Sequence, residues 1–169
     1  MGRILWSLAV SLLLISCTST PTYKDFENNT QALDNNHIRV YFIRESKFVG
    51  MAVDYPFVID ASDKHEIPNG SFFYVDLNPG EHTITSKSAL LPGKFTLKIN
   101  GEPGSTYYVE ITYRKNNFKA AATGMLVGPL LGWVVQADEA GKNNGPFQLI
   151  PLSKEQAVDL MQGLKFRHG

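Results

Sequence analysis

The sequence predicts an all-β fold: an antiparallel β-sandwich of about seven to eight strands followed by a C-terminal amphipathic helix. Apolar and polar residues alternate in several runs, most cleanly over residues 94–99 and 106–114. Clusters of glycine, proline and asparagine separate these runs at intervals of about 8–12 residues, which is typical of sandwiches. Several runs have one polar face, and this favours antiparallel strands over the buried parallel strands of alternating βα units.

The composition is that of one ordinary domain with tails. The chain has 169 residues, of which 43% are apolar, and this is enough for a packed core. Basic and acidic side chains both total 16 without a basic block, so we expect no nucleic-acid partner. The single cysteine, Cys17, excludes an intramolecular disulfide.

Residues 1–16 have the organisation of a signal peptide, with a short basic start before an apolar run over residues 4–15. A membrane-spanning helix needs about 20 apolar residues, so this run is too short for a permanent anchor. The four residues Leu14-Ile15-Ser16-Cys17 resemble the lipobox of bacterial lipoproteins. The resemblance implies cleavage before Cys17 and lipidation of its sulfur by a diacylglycerol. The alternative is an ordinary signal peptide with a chance cysteine.

Lipidation would make the membrane the first partner of this protein. Each buried methylene contributes about 0.8 kcal/mol, so the several acyl chains of a mature lipoprotein retain it permanently. Thr18 stands where, by resemblance to the sorting rule of enteric bacteria, an aspartate would hold the protein in the inner membrane. We therefore expect the bacterial outer membrane rather than the inner one, with the domain facing the periplasm.

Residues 17–36 combine the lipidated cysteine with a polar segment that is poor in β-branched apolar side chains. Such a segment buries too little surface to offset its ordering entropy, so we predict a flexible tether. The alternative is that Phe26 and Leu33 dock on the domain. The domain itself is predicted over residues 37–169.

The predicted strands follow one another with turn residues between them. Ile38, Val40 and Phe42 share one face of the first strand. The strands are predicted over residues 38–44, 51–60, 71–77, 81–88, 94–99, 106–114 and 147–150, with a polar connection over residues 61–69.

A hairpin is predicted from Pro68 to Ile84, and we expect the fold to be organised around it. The aromatic strand of residues 71–77 leads through Asn78-Pro79-Gly80 into the next β-forming run. Both faces of the aromatic strand begin with apolar side chains, which indicates a central position in its sheet.

Four segments carry a resemblance to a known family. They are Arg39-Val40-Tyr41-Phe42-Ile43-Arg44, Pro68-Asn69-Gly70-Ser71-Phe72-Phe73-Tyr74-Val75-Asp76-Leu77, Pro79-Gly80-Glu81-His82-Thr83 and Gly104-Ser105-Thr106-Tyr107-Tyr108-Val109. The arrangement resembles the small β-sandwich domain of a bacterial lipoprotein family known only as a domain of unknown function, with a hairpin like that of PEGA-type modules. The resemblance covers residues 38–164 and implies a fold and a location, but no catalytic residue.

Residues 120–135 form the most apolar run of the mature chain, with Gly124, Gly128 and Gly132 at four-residue spacing. On a membrane helix this spacing would form a close-packing face. The run is shorter than a membrane span and contains Pro129, so a buried strand, or a strand and a loop, is favoured. An exposed apolar patch that docks on lipid or protein is a third possibility.

The C-terminal helix is predicted from its cap and its apolar stripe. Ser153 and Gln156 have the spacing of a capping box, and Gly163 would end the helix. Residues 165–169 would form a frayed basic tail. The apolar residues at helical spacing are Ala157, Leu160, Met161 and Leu164.

The sequence contains no catalytic constellation. The histidines are not spaced as metal ligands, no serine lies in a nucleophile-elbow pattern, and no phosphate-binding glycine loop occurs. We therefore expect no catalytic residue, no metal and no cofactor. Asp76, Glu81 and His82 are candidate binding residues near the predicted hairpin turn, although an exposed hairpin pair is the favoured explanation.

The predicted function is that of a non-enzymatic, membrane-anchored interaction or envelope-structural module, with an envelope protein or a glycan as its partner. One alternative is an enzyme acting on envelope components, whose site would assemble only on folding. The other is a carbohydrate- or peptide-binding module. Its surface would use aromatic strand residues, although core and cross-strand packing is the favoured explanation for them: Phe72, Tyr74, Tyr107, Tyr108 and Tyr113.

Overall fold

The computed structural model describes residues 23–48, 50–89, 92–114, 133–134 and 145–168. Within these ranges two five-stranded sheets pack together, which confirms the all-β sandwich. The strands are β1 (Ile38–Arg44), β2 (Tyr55–Ile59), β3 (Asp63–Ile67), β4 (Ser71–Leu77), β5 (Gly80–Lys87), β6 (Lys94–Gly101), β7 (Thr106–Tyr113), β8 (Trp133–Val134), β9 (Phe147–Leu152) and β10 (Lys165–Phe166), and the helices are α1 (Tyr23–Asn29) and α2 (Lys154–Met161).

The strand order is β10-β4-β1-β7-β9 in the first sheet and β3-β2-β5-β6-β8 in the second. β1 pairs antiparallel with β4 but parallel with β7, and β10 also runs parallel to β4. The first sheet is therefore mixed, and the prediction of purely antiparallel strands is wrong there. The chain crosses to the second sheet for β5 and β6 before it returns as β7, and such a crossover permits parallel pairing.

The inner face of β1 lies against the second sheet. Ile38, Val40 and Phe42 are fully buried on this face, as their alternation predicts. The Phe42 ring lies 4.4 Å from the ring of Phe57 in β2, so the two sheets are in direct contact. Each such buried side chain contributes about 1.5–3 kcal/mol, and this core holds the fold.

The outer face of β1 is also buried, because α1 and α2 pack over it. Phe26 of α1 lies 5.2 Å from the Phe72 ring of β4 and 4.4 Å from the Phe166 ring of β10. This second apolar layer explains why the aromatic strand begins with apolar residues on both faces. We call it the outer cluster, and its buried members are Phe26, Tyr41, Ile43, Phe72, Leu152, Ala157, Met161 and Leu164.

α1 lies within the segment that was predicted to be a flexible tether. Phe26 is only 7% exposed and Leu33 is half-buried, so the alternative of docking describes this part of the segment. The Thr30 hydroxyl donates to the carbonyl of Phe26 at 2.7 Å and closes the end of the helix. Burial of Phe26, with Tyr23 partly buried beside it, helps to offset the ordering entropy of this polar stretch, and the flexible tether does not extend over α1.

β4 and β5 do not form the predicted hairpin. β4 belongs to the first sheet and β5 to the second, so Asn78 and Pro79 carry the chain from one sheet to the other. β5 pairs along its whole length with β6 instead. Turn residues mark where a chain turns, but they do not specify which sheet the next strand joins. The hairpin on which the likeness to PEGA-type modules rested is therefore not formed between these strands.

Two strands form where none was predicted. β3 lies within the predicted connection of residues 61–69 and pairs antiparallel with β2 at the edge of the second sheet. Its side chains are mostly charged and exposed, so no apolar alternation marks it. β10 lies in the tail that was predicted to fray, where the N–H of Lys165 donates to the carbonyl of Gly70 at 3.0 Å.

The prediction for α2 is confirmed. The Ser153 side chain accepts from the N–H of Gln156, whose side chain accepts from the N–H of Ser153, so the capping box is complete. The helix ends at Met161, and Ala157 and Met161 are buried against the first sheet.

Cys17, the signal peptide and most of the glycine-spaced run lie outside the described residues. Only Trp133 and Val134 of that run are described, as β8 beside β6. In the described part of the chain, no helix combines the length and apolarity needed to cross a membrane.

Candidate functional site

A cleft of about 330 Å³ lies over the outer face of the first sheet, between α1 and α2. β1 and β7 form its floor, and the chain that follows α1 forms one side. Apolar and polar side chains both line it, including Tyr23, Phe26, Glu27, Leu33, Arg39, Tyr41, Tyr108, Lys154, Val158 and Met161.

Two tyrosines form the centre of the floor. Tyr41 and Tyr108 are register partners on the parallel strands β1 and β7, and their rings stack with centroids 5.2 Å apart. Burial raises the pKa of Tyr108 to about 12 and also raises the pKa of Tyr41. Both hydroxyls are therefore protonated at neutral pH, so they can donate hydrogen bonds but do not act as bases.

Arg39 lies at one end of the floor, and all three of its guanidinium nitrogens donate hydrogen bonds. Its Nε and Nη2 donate to the two carboxylate oxygens of Asp76, each at 2.7 Å. Its Nη1 donates to the carbonyl of Gln31 at 2.7 Å, which fixes the chain after α1. The hydrogen bonds that Arg39 donates to Asp76 raise the pKa of Arg39 further above its ordinary value, so the cation is permanent. Arg39 thus holds the wall of the cleft in place.

The three sequence-predicted binding residues are not brought together. Asp76 is engaged with Arg39 on the first sheet. Glu81 accepts from Lys98 at 3.2 Å on the second sheet, where the Glu81 side chain is 67% exposed. His82 makes its contacts elsewhere, so the three side chains do not form one site.

His82 belongs to a network that fixes a turn. Its Nδ1 lies 2.6 Å from Oδ2 of Asp60, and its Nε2 lies 2.6 Å from the carbonyl of Asn78. Burial opposes ionisation of Asp60, but the N–H of Thr83 and the contact with His82 outweigh it and lower the pKa of that carboxyl. Both ring nitrogens of His82 are used within the fold, and neither is left for a ligand.

The cleft was missed because its parts are distant in the sequence. The sequence places Arg39, Tyr41 and Tyr108 on predicted strands, and nothing local in it gives Arg39 or Tyr41 a role in binding. One signal in the sequence could have indicated the cleft: three predicted strands each carry a tyrosine at an outward position. The structure makes these strands neighbours and brings the tyrosines side by side, namely Tyr41, Tyr74 and Tyr108.

A second groove, of about 320 Å³, lies between β3 and the C-terminal tail, with Lys64, His65 and Arg167 in its lining. The His65 ring stacks on Phe57 at 5.4 Å, and its Nε2 lies 2.8 Å from a carboxylate oxygen of Asp63. Across the described ranges, no three histidine, cysteine, aspartate or glutamate side chains are placed to hold a metal ion.

Comparison with known families gives a match over residues 34–125, which is more than half of the chain. The matching family is described as "Protein of unknown function (DUF2846)". The chain belongs to the DUF2846 family. The resemblance to a family of unknown function is thereby confirmed at that level. The match includes β1 to β7, and thus the floor of the cleft, whereas α1 and α2 lie outside it.

One relative of this DUF2846 protein is an uncharacterized protein of Haemophilus influenzae (strain ATCC 51907 / DSM 11121 / KW20 / Rd). The two are 29% identical over 106 residues, which cover 60% of this chain and 61% of the relative. The chain therefore spans less than two thirds of the length of that relative. No solved structure matches the chain.

Proposed function

We propose that this DUF2846 protein is a non-enzymatic binding module of the bacterial envelope, held at the membrane by lipid on Cys17. Its binding surface is the cleft between α1 and α2. The observation that carries this proposal is the open cleft above the stacked Tyr41–Tyr108 pair, which is built by the same elements that cover the first sheet. The lipobox supports the anchor.

The chemistry of the cleft favours binding over catalysis. Arg39 is saturated by Asp76 and Gln31, so it supplies charge and shape rather than a movable proton. The two tyrosines are neutral donors at physiological pH, because burial raises the pKa of each. Catalysis by proton transfer needs a group whose pKa lies near the working pH, and these residues lie well above it.

The lining matches a short protein segment better than a glycan. Sugar recognition on aromatic residues needs open ring faces, yet Tyr41 is only 8% exposed. Apolar side chains of the walls and charged side chains at the rim together suit a peptide that buries an apolar residue between polar ones. We therefore take the partner to be a segment of another envelope protein.

Photo-crosslinking in intact cells tests the binding surface. A photoreactive amino acid replaces Lys154, an exposed residue that lines the cleft. The matched control replaces Lys87, an exposed lysine on β5 of the second sheet that lies in neither the cleft nor the second groove. We expect a discrete protein adduct from position 154 that is absent at position 87. The proposal would be contradicted if the two positions gave the same protein adducts, or if position 154 gave adducts with glycan only.

Cell fractionation tests the anchor separately. The wild-type protein should sediment with the outer membrane, and Cys17→Ser should be recovered in another fraction. If the two proteins fractionate alike, the proposed lipid anchor is wrong whatever the crosslinking shows.

A further inference from the structure

The exposed large apolar side chains of the described chain gather at one end of the sandwich. Phe48, Met51 and Val53 are 88%, 55% and 53% exposed and lie in the loop of residues 45–54 between β1 and β2. Tyr113, which is 44% exposed, is the last residue of β7. Because β1 and β7 are parallel neighbours, the loop and Tyr113 extend from the same end of the first sheet.

A buried arginine holds the loop from below. Arg44 is 2% exposed, and its Nη1 donates to the carbonyls of Val53 and Ile67 at 2.7 and 2.8 Å. Its Nη2 donates to the carbonyl of Gly50 at 2.7 Å, and its guanidinium lies 3.4 Å from the centre of the Tyr55 ring. The backbone of the loop is thus fixed by a buried cation, while its apolar side chains project outward.

Two turns within the loop complete this support. The N–H of Met51 donates to the carbonyl of Phe48 at 3.3 Å, and the N–H of Val53 donates to the carbonyl of Gly50 at 3.2 Å. These bonds use main-chain groups only, so none of them requires the side chain of Phe48, Met51 or Val53. We call these three side chains the apolar tip.

The described chain begins toward the same end of the molecule. The Tyr23 ring lies 5.9 Å from Phe72, whose register partner in β1 is Ile43, near the loop. The chain then runs along α1 to Gln31, which Arg39 binds at the opposite end of β1. Five residues lie between Cys17 and Tyr23, and the six residue-to-residue steps of an extended chain reach about 20 Å at most. A lipid on Cys17 therefore keeps the loop end of the sandwich close to the membrane.

We infer that the apolar tip inserts into the same lipid bilayer that carries the anchor, as a second contact that fixes the orientation of the domain. This inference rests on the proposed lipidation of Cys17. The anchor holds the tip at a high local concentration of lipid, so an insertion that is weak by itself becomes effective. Lys47 is paired with Glu45 at 2.6 Å and also reaches Glu110. The one basic residue of the loop is therefore balanced by carboxylates, so we expect apolar side chains to drive the insertion without a need for anionic lipid.

A fluorescent probe on the lipidated full chain, reconstituted in phosphatidylcholine vesicles, tests the insertion. The native sulfur is consumed by lipidation, so Met51→Cys supplies the thiol for an environment-sensitive dye. The matched control is Glu102→Cys, an exposed residue in the turn between β6 and β7 at the other end of the sandwich. We expect blue-shifted emission and quenching by acyl-brominated lipid at position 51, and neither at position 102.

Flotation of the vesicles separates the insertion from the anchor. If the protein floats but the probe at position 51 is as exposed to water as the probe at position 102, the inference is overturned and the anchor remains. Protein that does not float removes the anchor and this inference with it. A blue shift that appears in native envelopes but not in pure lipid vesicles would mean that a protein covers the tip, which also overturns the inference.

A second variant guards against local effects of the dye. Phe48→Ser in the labelled protein removes an 88% exposed side chain. It leaves in place the hydrogen bonds that the Arg44 side chain donates to the carbonyls of Gly50 and Val53. The substitution should lower the equilibrium constant for insertion by about tenfold or more, because one large apolar side chain no longer leaves water. Quenching should be the same at low and high salt. An unchanged equilibrium, or quenching that salt abolishes, would contradict apolar insertion.

Discussion

Arg39 and Asp76 are register partners on β1 and β4, and two parallel hydrogen bonds of 2.7 Å join them. The Arg39 side chain is 5% exposed, whereas that of Asp76 is 36% exposed. A planar guanidinium that meets a carboxylate in this way forms one of the stronger polar contacts in proteins. The pair also determines where the chain after α1 can lie, because Arg39 holds the carbonyl of Gln31.

Replacing the carboxylate of this pair should destabilise the fold. Asp76→Asn leaves the buried Arg39 cation without its counter-charge, and we expect the free energy of unfolding to fall by about 1–3 kcal/mol, less than for a fully buried pair. Urea denaturation measures it. Glu81→Gln is the matched control, because the exposed pair with Lys98 contributes at most about 0.5 kcal/mol. Equal losses in both variants would refute this ranking.

Arg44→Lys should loosen the loop of residues 45–54. Lysine replaces the planar fork by a single ammonium, so it does not reproduce donation to the carbonyls of Gly50, Val53 and Ile67 together. We expect a loss of about 2–4 kcal/mol in unfolding free energy and faster proteolysis within the loop. Arg167→Lys, at an exposed position, should leave both measurements unchanged. A variant as protease-resistant as the wild type would argue against support by Arg44.

Phe26→Ala should release α1 from the first sheet. Phe26 contacts Phe72 and Phe166 in the outer cluster, and deletion of a buried phenylalanine side chain costs about 3–5 kcal/mol when the neighbours do not relax. α1 is only seven residues long, so we expect the smaller part of that range together with loss of hydrogen-exchange protection in α1. Phe48→Ala removes the same side chain from an exposed position and should change stability by less than about 0.5 kcal/mol. Similar effects of the two substitutions would contradict the packing of α1.

Glu110 should give the protein a pH-dependent loss of stability. Burial raises its pKa above 4.5, although Lys47 opposes this and Glu45 adds to it. The folded state keeps this proton to higher pH than the unfolded chain. The stabilisation is therefore complete below about pH 4.5 and decreases as the pH rises through the folded pKa. Urea denaturation from pH 4 to 7, roughly the window in which such a group titrates, should show this slope.

Glu110→Gln should remove the slope, because glutamine has no proton to lose in this range. The matched control is Glu66→Gln, at an exposed position on β3, which should keep the slope of the wild type. If the two variants have the same pH dependence, the slope has another origin.

The sequence predicted the elements whose apolar pattern is local. The alternation in β6 and β7 and the capping box at Ser153 each lie within a few residues, and all three were confirmed. β3 was not predictable in this way, because only Ile67 is buried in a strand of charged residues at a sheet edge. α1 is only seven residues long, with Phe26 buried and Tyr23 partly buried beside it, so it has too few apolar positions for a period to be detected.

Partner choice between distant segments was the other limit. The residues from Asn78 to Gly80 fit a hairpin turn and a connection between sheets equally well. Only the pairing of β5 with β6 decides between the two. The cleft has the same origin. Tyr41 and Tyr108 become neighbours through the parallel pairing of β1 and β7, which no local pattern encodes. Arg39 likewise meets Asp76 only once β1 and β4 pair.

The contact between Phe26 and Phe166 determines the order in which this protein can finish folding. The two rings lie 4.4 Å apart, although nearly the whole chain separates them. A ribosome releases Phe26 long before Phe166 exists, so α1 has no complete docking surface while synthesis continues. Contacts of such high sequence separation form slowly, because a long loop must close first. The two ends of the domain therefore close together as a late step, after β10 has been made.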